Sequence, residues 1–517
     1  MVSLLWALAG CHTLPAGDPK RPDVVLISID SLRADHLSSY GYKRDTTPAL
    51  DALAKDGQRF THALSGSPWT LPSHMTMMTG LWPTEHQVIE DDRKLADDVP
   101  VIAERMQAAG YATAGFVSAI YVSKDYGFAR GFGVWNDFGL SEKLSLAHAV
   151  RTPELVQNAL DWGKSLPEHQ PAFLFLHTYD AHYPYEPPKP WNSKYNPPIG
   201  KKQLAYRTWD YYKEHPLSKR RLRQLTGQYD ESIRYIDDSL KPLIATWAWD
   251  RDVVFIVTAD HGEELGERGS WGHAHTLYRE ALNVPLIVSG TGIEAGVRTD
   301  RVGNIDLAAT IAAIAGVPWD IGDGRDLRSL VPDRPFWPET SRFSSNQLGL
   351  IDGPASAATA LLLDLERQTS ERYDLGGDPK QKRPLTLAAP DMEQRIYAHL
   401  GEPWTLLAGQ LQSTGALVQR GTRIATALVA PATFGMWPPD ARLTLSAAPQ
   451  STAGVSTTEA PTTEAPTTEV PTTEVHGTLG QADPRVRWSG PATAAPVTMR
   501  PEVKQSLEAL GYTDAAP

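Results

Sequence analysis

The sequence predicts an α/β fold with a mostly parallel central sheet flanked by helices and a smaller C-terminal subdomain. Short runs rich in valine, isoleucine and leucine alternate with helix-periodic segments, which is typical of buried parallel strands joined by helices. The chain has 517 residues, enough for one large domain with additions. Its hydrophobic fraction of 41% and charged fraction of 21% are those of an ordinary globular protein, and its net charge of −12 argues against a nucleic-acid partner.

The N-terminus carries an apolar run, 4–10, directly ahead of the single cysteine, Cys11. The run is too short to span a bilayer, and one cysteine excludes an intramolecular disulfide. Residues 8–11 (Leu-Ala-Gly-Cys) resemble a bacterial lipobox, although no lysine or arginine precedes the cysteine. This resemblance implies a signal peptide and a lipid anchor that holds the protein on the outer side of a bacterial membrane. The alternative is a plain apolar N-terminus.

The first predicted strand, 23–29, is a continuous apolar run that ends at Asp30. An acid at the carboxyl end of a parallel strand lies where α/β sheets bind their ligands. A helix then begins at Pro48, after two threonines, and ends at Gly57.

The next helix begins close to Thr70, which stands two residues ahead of Pro72. Proline fits the first turn of a helix, where its missing N–H costs nothing. A helix N-terminus offers free N–H groups and partial positive charge, which suits both an oxygen nucleophile and the anionic group that it attacks. The ordinary interpretation is that Thr70 only caps the helix.

Predicted strands and helices continue to alternate along the chain, and the pattern becomes less regular beyond about residue 320. We predict further strands at 112–118, 172–176, 253–258 and 284–289, helices at 99–109 and 305–315, and a helical stripe formed by Tyr229, Ile233, Ile236, Leu240 and Leu243. Strands of a smaller sheet are predicted at 359–363 and 422–429. We therefore expect an anchor and tether (1–22), a catalytic domain (23–320), a smaller subdomain (321–450), a Thr/Glu/Pro repeat linker (451–478) and a tail with a short helix (479–517).

Three predicted strands end in acids and histidines, namely Asp30, the pair Asp180 and His182, and the pair Asp260 and His261. Each acid alone would usually be a turn or cap residue. An adjacent carboxylate and imidazole suit a metal, and this mixture favours Zn²⁺ or Mn²⁺ over Ca²⁺, which remains the less favoured alternative. A metal beside Thr70 would lower the pKa of the hydroxyl and so supply a nucleophile.

Four ordered stretches now match a known family: 30–42, 70–80, 180–188 and 258–273, with weaker echoes at 372–379 and 507–512. The chain resembles the sulfatase family within the alkaline phosphatase superfamily over roughly residues 23–390. The resemblance implies a metal-dependent hydrolase of sulfuric or phosphoric esters. The substrate would be an anionic ester carried by a glycan, a lipid or a small molecule.

The resemblance assigns roles position by position. Thr70 takes the nucleophile position and His74 takes the place of the motif arginine, while His182 and His273 contact the substrate or the leaving group. The metal ligands would be Asp30, Thr70, Asp260 and His261. Asp180 and His275 are candidates for substrate binding. In a two-metal version a second ion would be held by Asp180, His182 and either His273 or His275.

The sequence departs from the sulfatase motif at two positions, Thr70 and His74, where sulfatases proper carry cysteine or serine and arginine. Oxidation of a threonine side chain gives a ketone, so no formylglycine is expected. Threonine nucleophiles in this superfamily resemble those of metal-dependent phosphodiesterases, and we expect phosphate esters to be favoured over sulfates. The alternatives are a transferase that passes a phospho-alcohol headgroup to a glycan or lipid, and a non-catalytic protein that binds an anionic glycan.

Overall fold

The computed structural model describes residues 21–138, 150–196, 214–329, 331–342, 345–364, 367, 369–386 and 390–400, and short strands at 405–406, 415–419, 422–428, 436–437 and 494–496. The predicted lipobox, the Thr/Glu/Pro repeat and the predicted final helix lie outside these residues.

The larger part of the fold is built on an eight-stranded sheet. Its strands, in chain order, are β1 (Asp23–Ile29), β2 (Gln58–Leu64), β4 (Ala112–Val117), β5 (Val134–Asn136), β6 (Ala172–Thr178), β7 (Val253–Thr258), β10 (Leu286–Gly290) and β11 (Gly296–Gly303). Short strands outside it are β3 (Arg93–Leu95), β8 (Glu264–Leu265) and β9 (Trp271–Gly272). The spatial order is β11-β2-β10-β7-β1-β6-β4-β5.

Helices cover this sheet and follow the predicted alternation. They are α1 (Pro48–Asp56), α2 (Thr70–Thr79), α3 (Pro83–His86), α4 (Ile102–Ala108), α5 (Thr152–Ser165), α6 (Lys219–Asp250), α7 (Arg279–Leu282) and α8 (Leu307–Ala315). The predicted stripe from Tyr229 to Leu243 lies on α6, and all five of its side chains are buried.

The sheet is mostly parallel, as the continuous apolar runs predict. Strand β1 lies in the centre, parallel to β6 on one side and β7 on the other. Its residues are buried throughout because helices cover both faces of the sheet. Only β10 runs antiparallel to its neighbours β7 and β2. The predicted fold class is confirmed.

A second, antiparallel sheet forms the smaller C-terminal subdomain. It consists of β12 (Glu339–Arg342), β13 (Ser345–Asp352), β14 (Thr359–Asp364) and β15 (Thr369–Asp374), paired in that order. Apolar residues of β13 and β14 pack against Met392 and Ile396 of helix α9 (Pro390–Leu400). The remaining short strands are β16 (Thr405–Leu406), β17 (Gly415–Gln419), β18 (Thr422–Leu428), β19 (Met436–Trp437) and β20 (Ala494–Pro496).

Three strands of the large sheet were not predicted: β5 at one edge, and β11 with its neighbour β2 at the other. Strand β2 buries only Phe60 and Ala63 of its seven residues, so it lacks the apolar run that marks a central strand. Its place is set by pairing with β10 and β11.

Among the described residues, none of the helices combines the length and the apolar character that crossing a membrane requires.

Candidate functional site

The candidate site lies where β1, β6 and β7 end. Ser28 on β1 is in register with His177 on β6 and Thr258 on β7. Asp30 follows Ser28 by two residues and so extends the same face of the sheet, since side chains alternate along a strand. Three neighbouring strands therefore deliver their polar ends to one place.

Thr70 is the first residue of α2, and its side chain points at these strand ends. Its hydroxyl oxygen lies 3.5 Å from Asp30 Oδ2 and 3.4 Å from His261 Nε2. The residue is 5% exposed, so the oxygen lies in a largely dry site at a helix N-terminus. Sequence analysis predicted this combination of nucleophile position and helix start.

The carboxylate of Asp260 is held by backbone N–H groups on one side only. Its Oδ1 accepts hydrogen bonds from the N–H of Ser31 (3.1 Å) and of His261 (2.9 Å). Ser31 adopts a left-handed backbone conformation with φ of 57°, which places its N–H within hydrogen-bond distance of Asp260. The other oxygen, Oδ2, is buried without a hydrogen-bond partner among the described residues and lies 3.4 Å from His261 Nε2.

His261 is oriented so that its Nε2 can bind a cation. Its Nδ1 lies 2.8 Å from the carbonyl of Gly262 and must donate there, so in the neutral ring the lone pair of Nε2 faces Asp30 and Thr70. Burial disfavours the charged ring, but the carboxylates of Asp260 and Asp30 outweigh it and raise the pKa of His261 above its ordinary value.

Asp30, Asp260 and His261 together fit a divalent metal. Their ligand atoms lie within 4.8 Å of one another, and all three side chains are fully buried. Within the described part of the chain, the ion-pair partners of both carboxylates are histidines, not lysines or arginines. Two buried carboxylates with an unpartnered oxygen are costly unless a cation joins them. The donor set suits Zn²⁺ or Mn²⁺.

His273 and His182 continue the line of imidazoles away from Thr70. The ring of His273 lies 4.3 Å from that of His261 and 4.9 Å from that of His182, centroid to centroid. Burial lowers the pKa of His182 to about 4 and the pKa of His273 well below its ordinary value, so both rings are neutral at pH 7.

Both of these rings present Nε2 to the site because hydrogen bonds fix Nδ1. In His182, Nδ1 donates to the carbonyl of Tyr183 at 2.7 Å. In His273, Nδ1 lies 2.9 Å from Oε1 of Glu263, whose other oxygen accepts from the hydroxyl of Tyr185 at 2.9 Å. Burial raises the pKa of Glu263. This carboxyl group therefore orients His273 without lying at the reacting position.

His74 lies behind the nucleophile, one helical turn along α2, and is fully buried. Its Nδ1 lies 2.8 Å from the carbonyl of Thr70 and its Nε2 lies 2.9 Å from the hydroxyl of Ser28. Both nitrogens are thus engaged within the protein, and burial lowers the pKa of the ring to about 3. A neutral ring here does not supply the positive charge of the arginine that it replaces.

The structure does not bring Asp180 and His275 into this cluster. The carboxylate of Asp180 accepts hydrogen bonds from Arg151 Nη1 (2.8 Å) and from the backbone N–H and hydroxyl of Thr152 (2.7 and 2.6 Å). It thereby fixes the start of α5. His275 Nε2 lies 3.2 Å from Glu264 Oε2 and 3.1 Å from the hydroxyl of Ser270.

Sequence reasoning missed three residues near this site: His177, Glu263 and Arg342. His177 is buried with its Nε2 3.3 Å from Asp30 Oδ2, and the alternation along β6 is the signal that would have found it. Arg342 stacks on Trp69, with 4.2 Å from its guanidinium carbon to the ring centroid, and its charge helps to lower the pKa of His273. It comes from the second sheet, which no local motif connects to Thr70.

A family model described as Sulfatase matches residues 22–317. Choline-sulfatase of Rhizobium meliloti is 24% identical over 370 residues, which cover 58% of this chain and 70% of that one. A solved structure in complex with its substrate D-glucosamine-2-N,6-O-disulfate superposes with a TM-score of 0.60 at 17% identity, covering 74% of this chain and 97% of the other. Phosphonate monoester hydrolase of Agrobacterium radiobacter gives a TM-score of 0.58 at 18% identity, covering 73% and 94%.

Proposed function

The chain belongs to the sulfatase family of ester hydrolases, as its motifs predict, and we propose that it cleaves an anionic phosphate ester with Thr70 as nucleophile. The observation that carries this proposal is the position of the Thr70 hydroxyl. It lies at a helix N-terminus, 3.5 Å from Asp30 and 3.4 Å from His261. Carboxylate and imidazole are the partners that an activated alcohol needs.

A divalent ion fits against Asp30, Asp260, His261 and Thr70, as the unpartnered oxygen of Asp260 indicates. When bound, such an ion lowers the pKa of an alcohol and polarises the oxygen of an anionic ester. The rest of the chemistry falls to the protein. Trp69 and Leu71 flank the nucleophile and are 2% and 0% exposed, so the reacting oxygen is shielded from bulk water.

The reaction that we propose has two displacements. The Thr70 hydroxyl gives its proton to the Asp30 carboxylate, and its oxygen forms a bond to the phosphorus atom while the bond to the ester oxygen breaks. The departing oxygen takes a proton from Nε2 of His182 or His273. Water then attacks the phosphorus atom and the bond to the Thr70 oxygen breaks. The same imidazole accepts the proton of the water, and Asp30 returns its proton to Thr70.

His182 and His273 are suited to proton transfer only when the substrate is bound. Burial keeps both rings neutral at pH 7 in the free protein. A dianionic or monoanionic ester group beside them favours the charged ring and raises its pKa. Binding of the substrate therefore favours a proton on Nε2 of His182 or His273.

We favour phosphate over sulfate because Thr70 cannot form the aldehyde hydrate that formylglycine provides. The fold is compatible with either ester, since the superposed structures include one bound to a sulfated sugar and a phosphonate monoester hydrolase. The substrate class that we propose is a phosphorylated or sulfated glycan, lipid or small molecule.

The test is a side-by-side assay of the zinc- or manganese-loaded full chain with an aryl phosphate diester, an aryl phosphate monoester and an aryl sulfate. We expect phosphate ester cleavage in the wild type, loss of turnover in Thr70→Ala, and a mass increase of one phosphoryl group on the peptide that carries Thr70 after an acid quench. Thr79→Ala on the same helix is the matched control, since within the described part of the chain its hydroxyl bonds locally, to the carbonyl of Met75 and the N–H of Leu81. Equal turnover by Thr70→Ala and wild type would refute the nucleophile.

We also propose that Cys11 carries a lipid that holds the protein on the outer side of a bacterial membrane, within the anchor and tether of residues 1–22. The proposal rests on the Leu-Ala-Gly-Cys sequence at 8–11. Incorporation of labelled palmitate by a bacterium that expresses the chain, and its absence in Cys11→Ala, would support it. Equal labelling of the two would contradict it.

A further inference from the structure

His177 is the one imidazole near Thr70 that has no role in the site as described so far. It is fully buried on β6, and neither ring nitrogen makes a hydrogen bond among the described residues. A buried imidazole without a partner is costly, because its N–H and its lone pair both lose their hydrogen bonds to water. Such a group calls for an explanation.

The position of His177 supplies that explanation. Its Nε2 lies 3.3 Å from Asp30 Oδ2, which in turn lies 3.5 Å from the Thr70 oxygen. A ring nitrogen of His177, a ring nitrogen of His74 and a carboxylate oxygen of Asp260 also lie within 4.8 Å of one another. Ligands of a tetrahedral zinc ion with bonds of about 2.0–2.1 Å are separated by about 3.3–3.4 Å. The spacing around Asp30 is that of neighbouring ligands.

We propose that His177 is a direct ligand of the metal ion, completing a set with Asp30, Asp260 and His261 beside Thr70. This inference rests on the metal site of the proposed function. It explains why His177 and Asp260 Oδ2, which both lack a hydrogen-bond partner among the described residues, face the same cluster. It also makes the ligand set two carboxylates and two imidazoles, which favours zinc over calcium.

His74 is the competing candidate, because its ring lies 4.8 Å from that of His177 and its Nδ1 lies 3.6 Å from Asp260 Oδ2. However, its Nδ1 must donate to the carbonyl of Thr70, and its Nε2 accepts from Ser28. Ligation by either nitrogen would break a buried hydrogen bond. His177 has no such bond to lose.

The test is X-ray absorption fine structure of the zinc-loaded full chain, which counts imidazole ligands, together with the zinc content per chain. We expect one zinc with two imidazoles in the wild type, one imidazole in His177→Gln, and two in His74→Gln. We also expect His177→Gln to weaken zinc binding by more than the roughly 10- to 100-fold typical of an outer-shell partner.

A wild-type count of one or three imidazoles would overturn this assignment, and the count does not depend on whether either variant folds. Two zinc ions per chain would overturn it as well, and so would a His177→Gln variant that keeps two imidazoles. Turnover separates the two proposals. A wild type with two imidazole ligands whose Thr70→Ala variant keeps full turnover contradicts the proposed function only, whereas Thr70-dependent turnover with one imidazole contradicts the role of His177 only.

Discussion

Two buried clusters of carboxylates and histidines lie close together in this protein and differ in one respect. The open cluster, as we name it, consists of Asp30, His177, Asp260 and His261. The closed cluster consists of Glu264, Ser270, His275 and Thr276. Both carry motif residues from the same stretch of chain after β7, and the acids of both clusters are fully buried. Only the open cluster contains buried polar atoms without partners among the described residues.

The closed cluster satisfies its carboxylate completely. Oε2 of Glu264 accepts hydrogen bonds from the hydroxyls of Ser270 and Thr276, each at 3.0 Å, and lies 3.2 Å from His275 Nε2. Oε1 lies 3.3 Å from Arg268, which also pairs with Glu280. Burial opposes the charge, but these partners outweigh it and lower the pKa of Glu264 below its ordinary value.

The hydrogen-bond partners of the carboxylate distinguish a structural cluster from a functional one when the residue types are the same. A carboxylate whose lone pairs are all satisfied by the protein stabilises the fold. A carboxylate left with an unpartnered buried oxygen leaves a position for a ligand and costs stability without it. Removal of the carboxylate charge should therefore destabilise the protein in the closed cluster but not in the open cluster.

The largest effect on activity is expected from Asp260→Asn in the open cluster. We expect zinc binding to be lost and turnover of an aryl phosphate ester to fall by about 10⁴-fold or more, because the nucleophile and the metal act as a unit. In the absence of metal, the melting temperature should stay equal or rise, since a buried charge with an unpartnered oxygen has been removed. Calorimetry of metal-free protein checks this, and a large fall in melting temperature would contradict the comparison.

His273→Ala should produce the next largest effect. Removal of a proton-transfer group typically costs 10²- to 10⁴-fold in rate, and we expect a loss of about that size in kcat for an aryl ester with a poor leaving group. With a good leaving group, which needs no proton, the loss should be much smaller. Steady-state kinetics with two leaving groups measure the difference, and an equal loss for both would exclude the role in protonation.

Glu263→Gln should lower kcat by about 10- to 100-fold, because a neutral amide oxygen is a weaker hydrogen-bond acceptor for His273 Nδ1 than the charged carboxylate. The melting temperature should change little. The metal content should be unchanged as well, which separates a positioning residue from a ligand. A proportional loss of bound metal would contradict this role.

Glu264→Gln, at the adjacent position, is the matched control and should do the reverse. Loss of the charge leaves His275 and Arg268 without their carboxylate and should destabilise the protein by about 3–5 kcal/mol. Turnover per folded molecule should stay near that of the wild type. Because the pKa of Glu264 is lowered on folding, the difference in stability should be full at pH 7 and shrink as the pH falls below about 4.3. A difference that grows on acidification would contradict the assignment.

Glu339→Gln on β12, outside both clusters, should leave turnover unchanged and act on stability alone. Burial raises the pKa of Glu339 to about 8, so the wild type loses stability as the pH rises from about 4.3 through 8 while the unfolded chain holds its carboxylate in water. The variant should match the wild type near pH 4 and melt a few degrees higher near pH 9. Melting curves at the two pH values measure this, and a constant difference would refute the titration of Glu339.

The fold class and the family could be predicted from the amino-acid sequence alone. Continuous apolar runs at 23–29, 172–176 and 253–258 can only be buried on both faces, and strands of that kind form a parallel sheet covered by helices. The four motifs identified the sulfatase family because they carry rare residue combinations in a fixed order. Strands β2, β5 and β11 escaped prediction because their places depend on pairing with other strands, not on their own composition.

The sequence also brought Thr70, Asp30, Asp260 and His261 together, since each follows a strand or starts a helix at the same edge of the sheet. The motifs also made Asp180 and His275 candidates for substrate binding, because a motif records residue types and spacing but not hydrogen-bond partners. Three contacts become visible only in the folded protein. Arg151 and Thr152 bind Asp180, Glu264 binds His275, and His177 faces Asp30. The physical reason is that partner choice in a buried site depends on distances between residues far apart in the chain, and local sequence does not encode those distances.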